Sequence, residues 1–162
     1  MFKCLITSAG ANDGKSTIAK RLSSESDQKA LLLDFDVRES LRIGQGVGIV
    51  EYMLNDAAID DCIVEEGNYS VFLPGRRKRR EFDLVFNAEK FESLLKELEK
   101  RYDVLYIDTP PLGFISDAKS LIPYCDRIVL VHSNARRGVC LIDSEVEKYG
   151  LPVVLVDNFY GT

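Results

Sequence analysis

The chain has 162 residues, of which 46% are hydrophobic and 29% are charged, and its net charge is −5. These values are typical of one soluble globular domain and exclude a disordered or collagen-like chain. No apolar run approaches the roughly 20 residues that cross a bilayer, and the acidic balance argues against general affinity for nucleic acid. The four cysteines form no C-x-x-C pair, so we expect reduced thiols and a cytoplasmic location.

Six short apolar runs predict the strands of a buried sheet. They cover residues 3–7, 30–35, 71–74, 103–108, 127–132 and 152–157. Most are continuous rather than alternating, which is typical of parallel strands covered by helices on both faces. Between them, apolar spacing predicts helices over residues 16–26, 48–55, 87–101, 117–125 and 138–149. This alternation predicts an α/β fold with a doubly wound, mainly parallel sheet flanked by helices in a three-layer sandwich.

The first predicted strand leads into a glycine-containing loop and then directly into a helix. This loop, "TSAGANDGKST" at residues 7–17, resembles a Walker A phosphate loop, although Ala9 stands at the first glycine position. Backbone N–H groups at the start of a helix favour an anion, so the loop amides are expected to surround a β-phosphate. These amides belong to Ala11, Asn12, Asp13, Gly14, Lys15 and Ser16.

The side chains after Gly14 fit the same interpretation. Lys15 is placed to reach the β- and γ-phosphates, Ser16 to ligate Mg²⁺, and Thr17 to reach the α-phosphate. The alternative is a glycine turn followed by a surface lysine, but the position between an apolar strand and a helix favours phosphate binding. We therefore expect residues 1–162 to form one P-loop nucleotide-binding domain.

Acidic residues follow two further predicted strands. Asp34 and Asp36 end the second strand, and Asp108 ends the fourth. In a doubly wound sheet the ligand binds beyond the carboxyl ends of the strands, where all three carboxylates would meet the phosphates. Mg²⁺ prefers such hard oxygen ligands, so Asp108 would hold the metal, and Asp34 would either hold it or accept a proton.

These motifs, in this order, resemble those of the bacterial tyrosine kinases of capsule and exopolysaccharide export. That family belongs to the MinD/ParA group of deviant Walker ATPases. After the phosphate loop come a D-x-D-x-R motif, met by Asp34, Asp36 and Arg38, and a D-x-x-P motif that begins at Asp108. The final "VLVDN" resembles the family's last strand, whose asparagine commonly contacts adenine, here Asn158.

The resemblance implies a magnesium-dependent phosphotransferase that moves a phosphoryl group from ATP to tyrosine. Lys15, Asp34 and Asp36 would be catalytic, and Ser16, Asp34 and Asp108 would bind the metal. The resemblance also implies regulation of capsular or exopolysaccharide biosynthesis, a membrane-bound activator protein that brings a cytoplasmic chain to the membrane, and homo-oligomers.

Two other functions stay open at this stage. One is a MinD- or ParA-like ATPase switch for positioning or partition, without kinase activity; the other is a nucleotide-binding scaffold. The partition branch usually carries a second lysine five residues before the phosphate-loop lysine, and that position here is Gly10. The difference favours the kinase branch.

A run of five positive charges at residues 76–80 stands out in this acidic chain. It predicts either a solvated loop or a docking site for an anionic partner, such as an acidic protein or lipid headgroups. Nucleic acid is the less favoured partner, because it would need a broader basic face or stacking aromatic residues.

Overall fold

The computed structural model describes residues 1–8, 10–38, 40–76, 86–112, 116–133 and 148–158. Within these ranges one sheet contains β1 (Phe2–Ser8), β2 (Ala30–Asp34), β3 (Ile63–Glu66), β4 (Tyr69–Phe72), β5 (Val104–Asp108), β6 (Arg127–Ser133) and β7 (Val153–Asn158). Their spatial order is β3-β4-β2-β5-β1-β6-β7. All neighbouring strands are parallel except β3 and β4, which are antiparallel. The predicted doubly wound, mainly parallel sheet is confirmed.

Four α-helices lie in the described ranges: α1 (Lys15–Ser24), α2 (Ile49–Met53), α3 (Ala88–Leu98) and α4 (Ser116–Leu121). Short 3₁₀ turns at Asp60–Cys62 and Ile122–Tyr124 precede β3 and follow α4. The Asn87 side chain caps α3 by accepting a hydrogen bond from the backbone N–H of Lys90 at 2.9 Å. The structure thus bears out the expected helix over residues 87–101, in a shorter form.

The sheet is buried on both faces because its central strands carry apolar residues at successive positions. One face packs against the apolar stripe of α3, formed by Phe91, Leu94, Leu95 and Leu98. The other face packs against α1 through Ile18, Ala19 and Leu22. Burying each such side chain contributes about 1.5–3 kcal/mol, so both helix layers are bound to the sheet by their apolar stripes.

The antiparallel hairpin of β3 and β4 differs from the expectation. A strand was expected over residues 71–74, but β4 covers Tyr69–Phe72, and β3 was not predicted at all. The strand β3 has only two apolar residues, and Val64 is 37% exposed at the sheet edge. The missed signal is the Gly67-Asn68 pair, a two-residue hairpin turn with φ +68° at Gly67.

Other boundaries shift for local reasons. A helix was expected over residues 117–125, but α4 ends at Leu121. A 3₁₀ turn that contains Pro123 follows it. The helix expected over residues 138–149 lies almost entirely outside the described residues, and Tyr149 sits in a turn. Of the basic run, only Arg76 is described, and it is exposed.

The carboxyl ends of β2 and β5 bring acidic side chains together on one face. Asp34 and Asp108 are register partners, and the backbone N–H of Phe35 donates to the Asp108 carbonyl at 2.8 Å. The Phe35 ring is fully buried on the α3 face, with its centroid 6.0 Å from that of Phe91. Because side chains alternate along an extended chain, burying Phe35 places Asp34 and Asp36 on the face of α1.

Candidate functional site

The loop between β1 and α1 turns directly into the helix. Gly14 has φ +86°, a left-handed conformation that strains any residue with a Cβ, and Lys15 is the first residue of α1. Asn12 is also left-handed, with φ +63°, a region where asparagine is among the few non-glycine residues found. In the described chain no side chain caps α1, so its first N–H groups can meet an anion. Ala9 lies outside the described residues.

Lys15 and Asp36 form a largely buried ion pair. The Lys15 Nζ lies 3.3 Å from Asp36 Oδ2, and the two side chains are only 12% and 5% exposed. Salt screens such a pair far less than a surface pair, and removing one partner would leave a buried charge. An anion that bound to Lys15 would therefore have to compete with the Asp36 carboxylate.

Asp34 and Asp108 face each other at the ends of β2 and β5, almost completely buried. Ser40 Oγ donates to Asp34 Oδ2 at 2.5 Å, and the Ser16 hydroxyl donates to Asp108. Among the residues that the structure describes, their other oxygens, Asp34 Oδ1 and Asp108 Oδ1, are the buried side-chain atoms without a hydrogen-bond partner. Two unpaired buried acceptors on adjacent carboxylates destabilise a fold, and a cation between them would satisfy both.

Burial raises the pKa of both carboxyl groups. The pKa of Asp34 rises to about 6, although the Ser40 hydrogen bond and the Arg42 charge oppose the increase. The pKa of Asp108 rises to about 7, because burial and then the neighbouring Asp34 charge act together against the Ser16 hydrogen bond. Near neutral pH the pair is therefore poised to lose protons when a cation arrives.

Arg42 links Asp34 to the β3–β4 hairpin. Its Nε and Nη2 donate to Glu66 Oε1 and Oε2 at 3.2 and 3.0 Å, and Nη1 lies 3.6 Å from Asp34 Oδ2. The Tyr69 hydroxyl also donates to Glu66 Oε2, at 2.8 Å. Sequence reasoning missed Arg42, because no local pattern relates it to a glutamate 24 positions away.

Three polar contacts meet at Asp13: one closes the phosphate loop on itself, and two tie the loop to the ends of β6 and β7. The Gly10 N–H donates to Asp13 Oδ2 at 2.8 Å, and Ser133 Oγ donates to Asp13 Oδ1 at 3.1 Å. The Asn158 Nδ2 donates to the Asp13 carbonyl at 3.0 Å. The structure thus brings the predicted Asn158 onto the loop, whereas Ser133 carried no sequence signal.

The other predicted contact residues line the loop and the first turn of α1. Ala11, Asn12, Ser16 and Thr17 are all exposed there, where a ligand can reach them. The described cysteines, Cys4, Cys62 and Cys125, are buried and free, and Cys140 lies outside the described residues. Across the described ranges, no helix has the length and apolarity that spanning a membrane requires.

The carboxylate pair fits one kind of metal site. The described residues contain no cluster of three or more histidine, cysteine or acidic side chains arranged to hold a metal on their own. Mg²⁺ is usually held by one or two carboxylates together with the phosphates of a nucleotide. Asp34, Asp108 and the adjacent Ser16 hydroxyl therefore suit a magnesium ion that arrives with a nucleotide.

Comparison with known proteins points to one group. A tyrosine-protein kinase CpsD from Streptococcus agalactiae is 31% identical over 142 residues, covering 81% of this chain and 62% of that protein. The kinase domain of the Escherichia coli tyrosine kinase ETK matches with a TM-score of 0.80 and 22% identity, covering 97% of this chain and 67% of that domain. The septum site-determining protein MinD from Pyrococcus horikoshii, solved with Mg-ADP, matches with a TM-score of 0.74 and 23% identity. The match covers 99% of this chain and 71% of the MinD chain. No protein-family model matches the chain.

The sheet, the phosphate loop and these likenesses define a P-loop protein with the fold of the MinD/ParA group. Within that group, the chain is related by sequence to proteins named tyrosine-protein kinases, such as CpsD. The predicted resemblance to bacterial tyrosine kinases is therefore confirmed. The chain spans about three fifths of the length of the curated relatives it matches.

Proposed function

We propose that the chain binds Mg-ATP at the carboxyl ends of its strands and transfers the γ-phosphoryl group to a tyrosine hydroxyl. The observation that carries the proposal is a pair of carboxylate oxygens, on Asp34 and Asp108, that have no hydrogen-bond partner among the described residues and lie beside the Lys15–Asp36 ion pair. Phosphoryl transfer depends mainly on positioning and on stabilising negative charge. Both requirements are met at the carboxyl ends of the strands, where a lysine, a pair of carboxylates and a helix N-terminus lie together.

In this proposal the nucleotide lies along the phosphate loop. The amides of residues 11–16 surround the β-phosphate, Lys15 contacts the β- and γ-phosphates, and Thr17 contacts the α-phosphate. Asn158, at the end of β7, contacts the adenine. The support is positional: Ala11, Asn12, Ser16 and Thr17 are exposed in the loop and at the start of α1, and Asn158 is hydrogen-bonded to the loop itself. Lys15 is the first residue of the helix.

The three acidic residues divide between two tasks. Asp34 and Asp108, with the Ser16 hydroxyl, would hold magnesium, since their unpaired oxygens lie on register-paired residues. The bound ion would offset the negative charge of the phosphates. Asp36 would act as the base, because its partner Lys15 turns towards the phosphates and leaves its carboxylate beside them.

The reaction then balances as a single displacement. The tyrosine oxygen forms a bond to the γ-phosphorus while the bond from that phosphorus to the β,γ-bridging oxygen breaks, and ADP leaves. The phenolic proton passes to Asp36. A phenol in water has a pKa of about 10, so a positioned carboxylate assists its deprotonation as the new bond forms.

A single assay tests the proposal. The chain is incubated with γ-labelled ATP and Mg²⁺, with and without a candidate membrane-bound activator, and analysed for phosphotyrosine and released phosphate. We expect label on tyrosine, and none with Lys15→Met. The matched control is Lys3→Met, which removes an ion-paired lysine at the opposite ends of the strands. The absence of phosphotyrosine in the unaltered chain with the activator present would contradict the proposal.

The fold favours one second candidate, a nucleotide-dependent switch of the MinD kind. The similarity to MinD in complex with Mg-ADP supports it. Against it stands Gly10, at the position where partition proteins of the group carry their second lysine. In the same assay a switch would release phosphate without labelling tyrosine.

The sequence relationship extends the proposal to partners. We propose a role in regulating capsular or exopolysaccharide biosynthesis, with a membrane-bound activator and assembly into homo-oligomers. The support is the sequence similarity to the tyrosine-protein kinase CpsD described above. Co-expression with candidate activators, followed by co-purification and the phosphotyrosine assay, tests this part.

A further inference from the structure

The phosphate loop contains a buried acidic side chain, although the start of the helix that follows it favours anions. Asp13 is only 3% exposed, and it lies directly before Gly14 and Lys15. A carboxylate so close to phosphates would repel them if its charge faced the ligand. Its burial indicates that the side chain is directed at the protein rather than at the ligand.

Both oxygens of this carboxylate are engaged inside the protein. Oδ2 accepts the Gly10 N–H at 2.8 Å, which closes the loop on itself across three residues. Oδ1 accepts the Ser133 hydroxyl at 3.1 Å, which ties the loop to the end of β6. One side chain thus bridges two separate segments of the chain, and these two bonds restrain the loop between them.

The main chain of the same residue is held from the next strand. Asn158 Nδ2 donates to the Asp13 carbonyl at 3.0 Å, and Asn158 is the register partner of Ser133. The same amide lies against Gly14, where a Cβ would come within 1.9 Å of Nδ2. Two adjacent strands thus hold one loop residue at its side chain and at its backbone.

We infer that Asp13 is a positioning residue: its carboxylate fixes the phosphate loop in its nucleotide-binding shape and couples that shape to the ends of β6 and β7. This inference rests on the proposed nucleotide binding. A loop that is already ordered loses less conformational freedom when a ligand binds, so the contacts of Asp13 raise affinity without touching the ligand.

Geometry and charge can be separated with two variants. Asp13→Asn keeps both contacts, because its amide oxygen can accept the Gly10 N–H and its amide nitrogen can donate to Ser133 Oγ. Asp13→Ala removes both. A positioning role therefore predicts that asparagine rescues binding and that alanine does not.

The test measures the affinity of the full chain for Mg-ADP by calorimetry. We expect Asp13→Ala to raise the Kd about tenfold and Asp13→Asn to leave it within about twofold. Ser133→Ala should raise the Kd about threefold, and its effect should disappear in the Asp13→Ala background, because the two groups form one contact. In the kinase assay, Asp13→Ala should raise KM for ATP and leave kcat nearly unchanged.

Asp126→Ala is the matched control. Its carboxylate also accepts a backbone N–H, that of Lys3 at 2.7 Å, but at the opposite ends of the strands, so its Kd should not change. Unchanged affinity in Asp13→Ala, or equal weakening in Asp13→Asn, would overturn the inference. If Asp13→Ala does not fold, an unchanged Kd in Ser133→Ala overturns it instead. Failure of the unaltered chain to bind Mg-ADP would overturn the proposed function and this inference together.

Discussion

The two ends of the strands use carboxylates in opposite ways. At the amino ends, Asp126 accepts the Lys3 N–H at 2.7 Å, and Asp103 accepts the Lys29 N–H at 3.2 Å. Both acidic residues are exposed, and each accepts a hydrogen bond from a backbone N–H group that strand pairing does not use. These contacts serve to stabilise the sheet and indicate no further function.

At the carboxyl ends the acidic residues are buried and work against stability. Asp34 and Asp108 each keep one oxygen without a partner among the described residues, and burial raises the pKa of both. A fold tolerates such groups where a ligand completes them, since functional sites are where local rules are broken. The contrast between the two ends shows that buried polar groups that destabilise the fold can be used to locate the candidate site.

The largest effect is expected for the proposed base. Asp36→Asn should lower phosphoryl transfer to tyrosine by 100-fold or more, the order expected for a general base. Mg-ADP affinity should be retained, because Lys15 loses the carboxylate that competes with phosphate. Rate and affinity are measured by the phosphotyrosine assay and by calorimetry. Asp126→Asn, at the opposite ends of the strands, should leave the rate and the affinity unchanged. Equal losses of activity in Asp36→Asn and Asp126→Asn would contradict the difference between the two ends.

Stability should respond to pH in the direction set by the buried carboxyl pair. A raised native pKa means that the folded chain binds protons more tightly than the unfolded chain. The stabilising contribution is therefore complete below about pH 4, the unfolded value, and is lost as pH rises through about 6 to 7. Without nucleotide, Asp108→Asn should stabilise the chain at pH 8 by a few kcal/mol and by almost nothing at pH 4.

Urea denaturation at the two pH values measures this difference. The control is Asp103→Asn, at the exposed amino ends, which should gain nothing at pH 8. A loss of stability in Asp108→Asn at pH 8 would mean that the charged form of this residue is well compensated in the fold.

Two left-handed glycines separate backbone strain from the contact with Asn158. Gly14 and Gly67 have φ +86° and +68°, but only at Gly14 would a Cβ meet a neighbour, the Asn158 amide. Gly67→Ala should cost about 1 kcal/mol of stability. Gly14→Ala should cost at least twice that and also weaken Mg-ADP binding severalfold. Thermal unfolding and calorimetry measure the two effects, and equal costs would show that Asn158 yields easily.

The smallest effect is expected far from the site. Asn87→Ala removes the side-chain cap of α3 and should lower stability by about 1 kcal/mol, without changing nucleotide affinity. Asn87→Ser keeps a capping oxygen and should restore most of that loss. A change in Mg-ADP affinity in Asn87→Ala would mean that α3 influences the carboxyl ends of the strands.

The sequence predicted the sheet and the phosphate loop because both have strong local signals. Continuous apolar runs mark buried parallel strands, and a G-K-S-T sequence after a strand marks a phosphate loop. The hairpin of β3 and β4 was missed because β3 has two apolar residues followed by two acidic ones. An edge strand buries little, so its sequence carries little periodic signal.

Several residues of the candidate site could be proposed from the sequence, but their pairings could not. Asp34, Asp36 and Asp108 were predicted from their places at strand ends. That Lys15 pairs with Asp36, and that Ser133 meets Asp13, depends on side chains 21 and 120 positions apart. Such contacts follow from strand order, which no local spacing encodes. The roles assigned to these residues remain predictions for the assays above.

The ion pair between Lys15 and Asp36 has a consequence for selectivity. A small anion from the surrounding solution meets a lysine that already has a buried counter-ion, so it gains little by displacing it. In the proposed function, a nucleotide triphosphate would bring a metal for the paired aspartates and further phosphates for the loop amides, and these gains together would outcompete Asp36. This one ion pair would thus favour polyphosphates over lone anions.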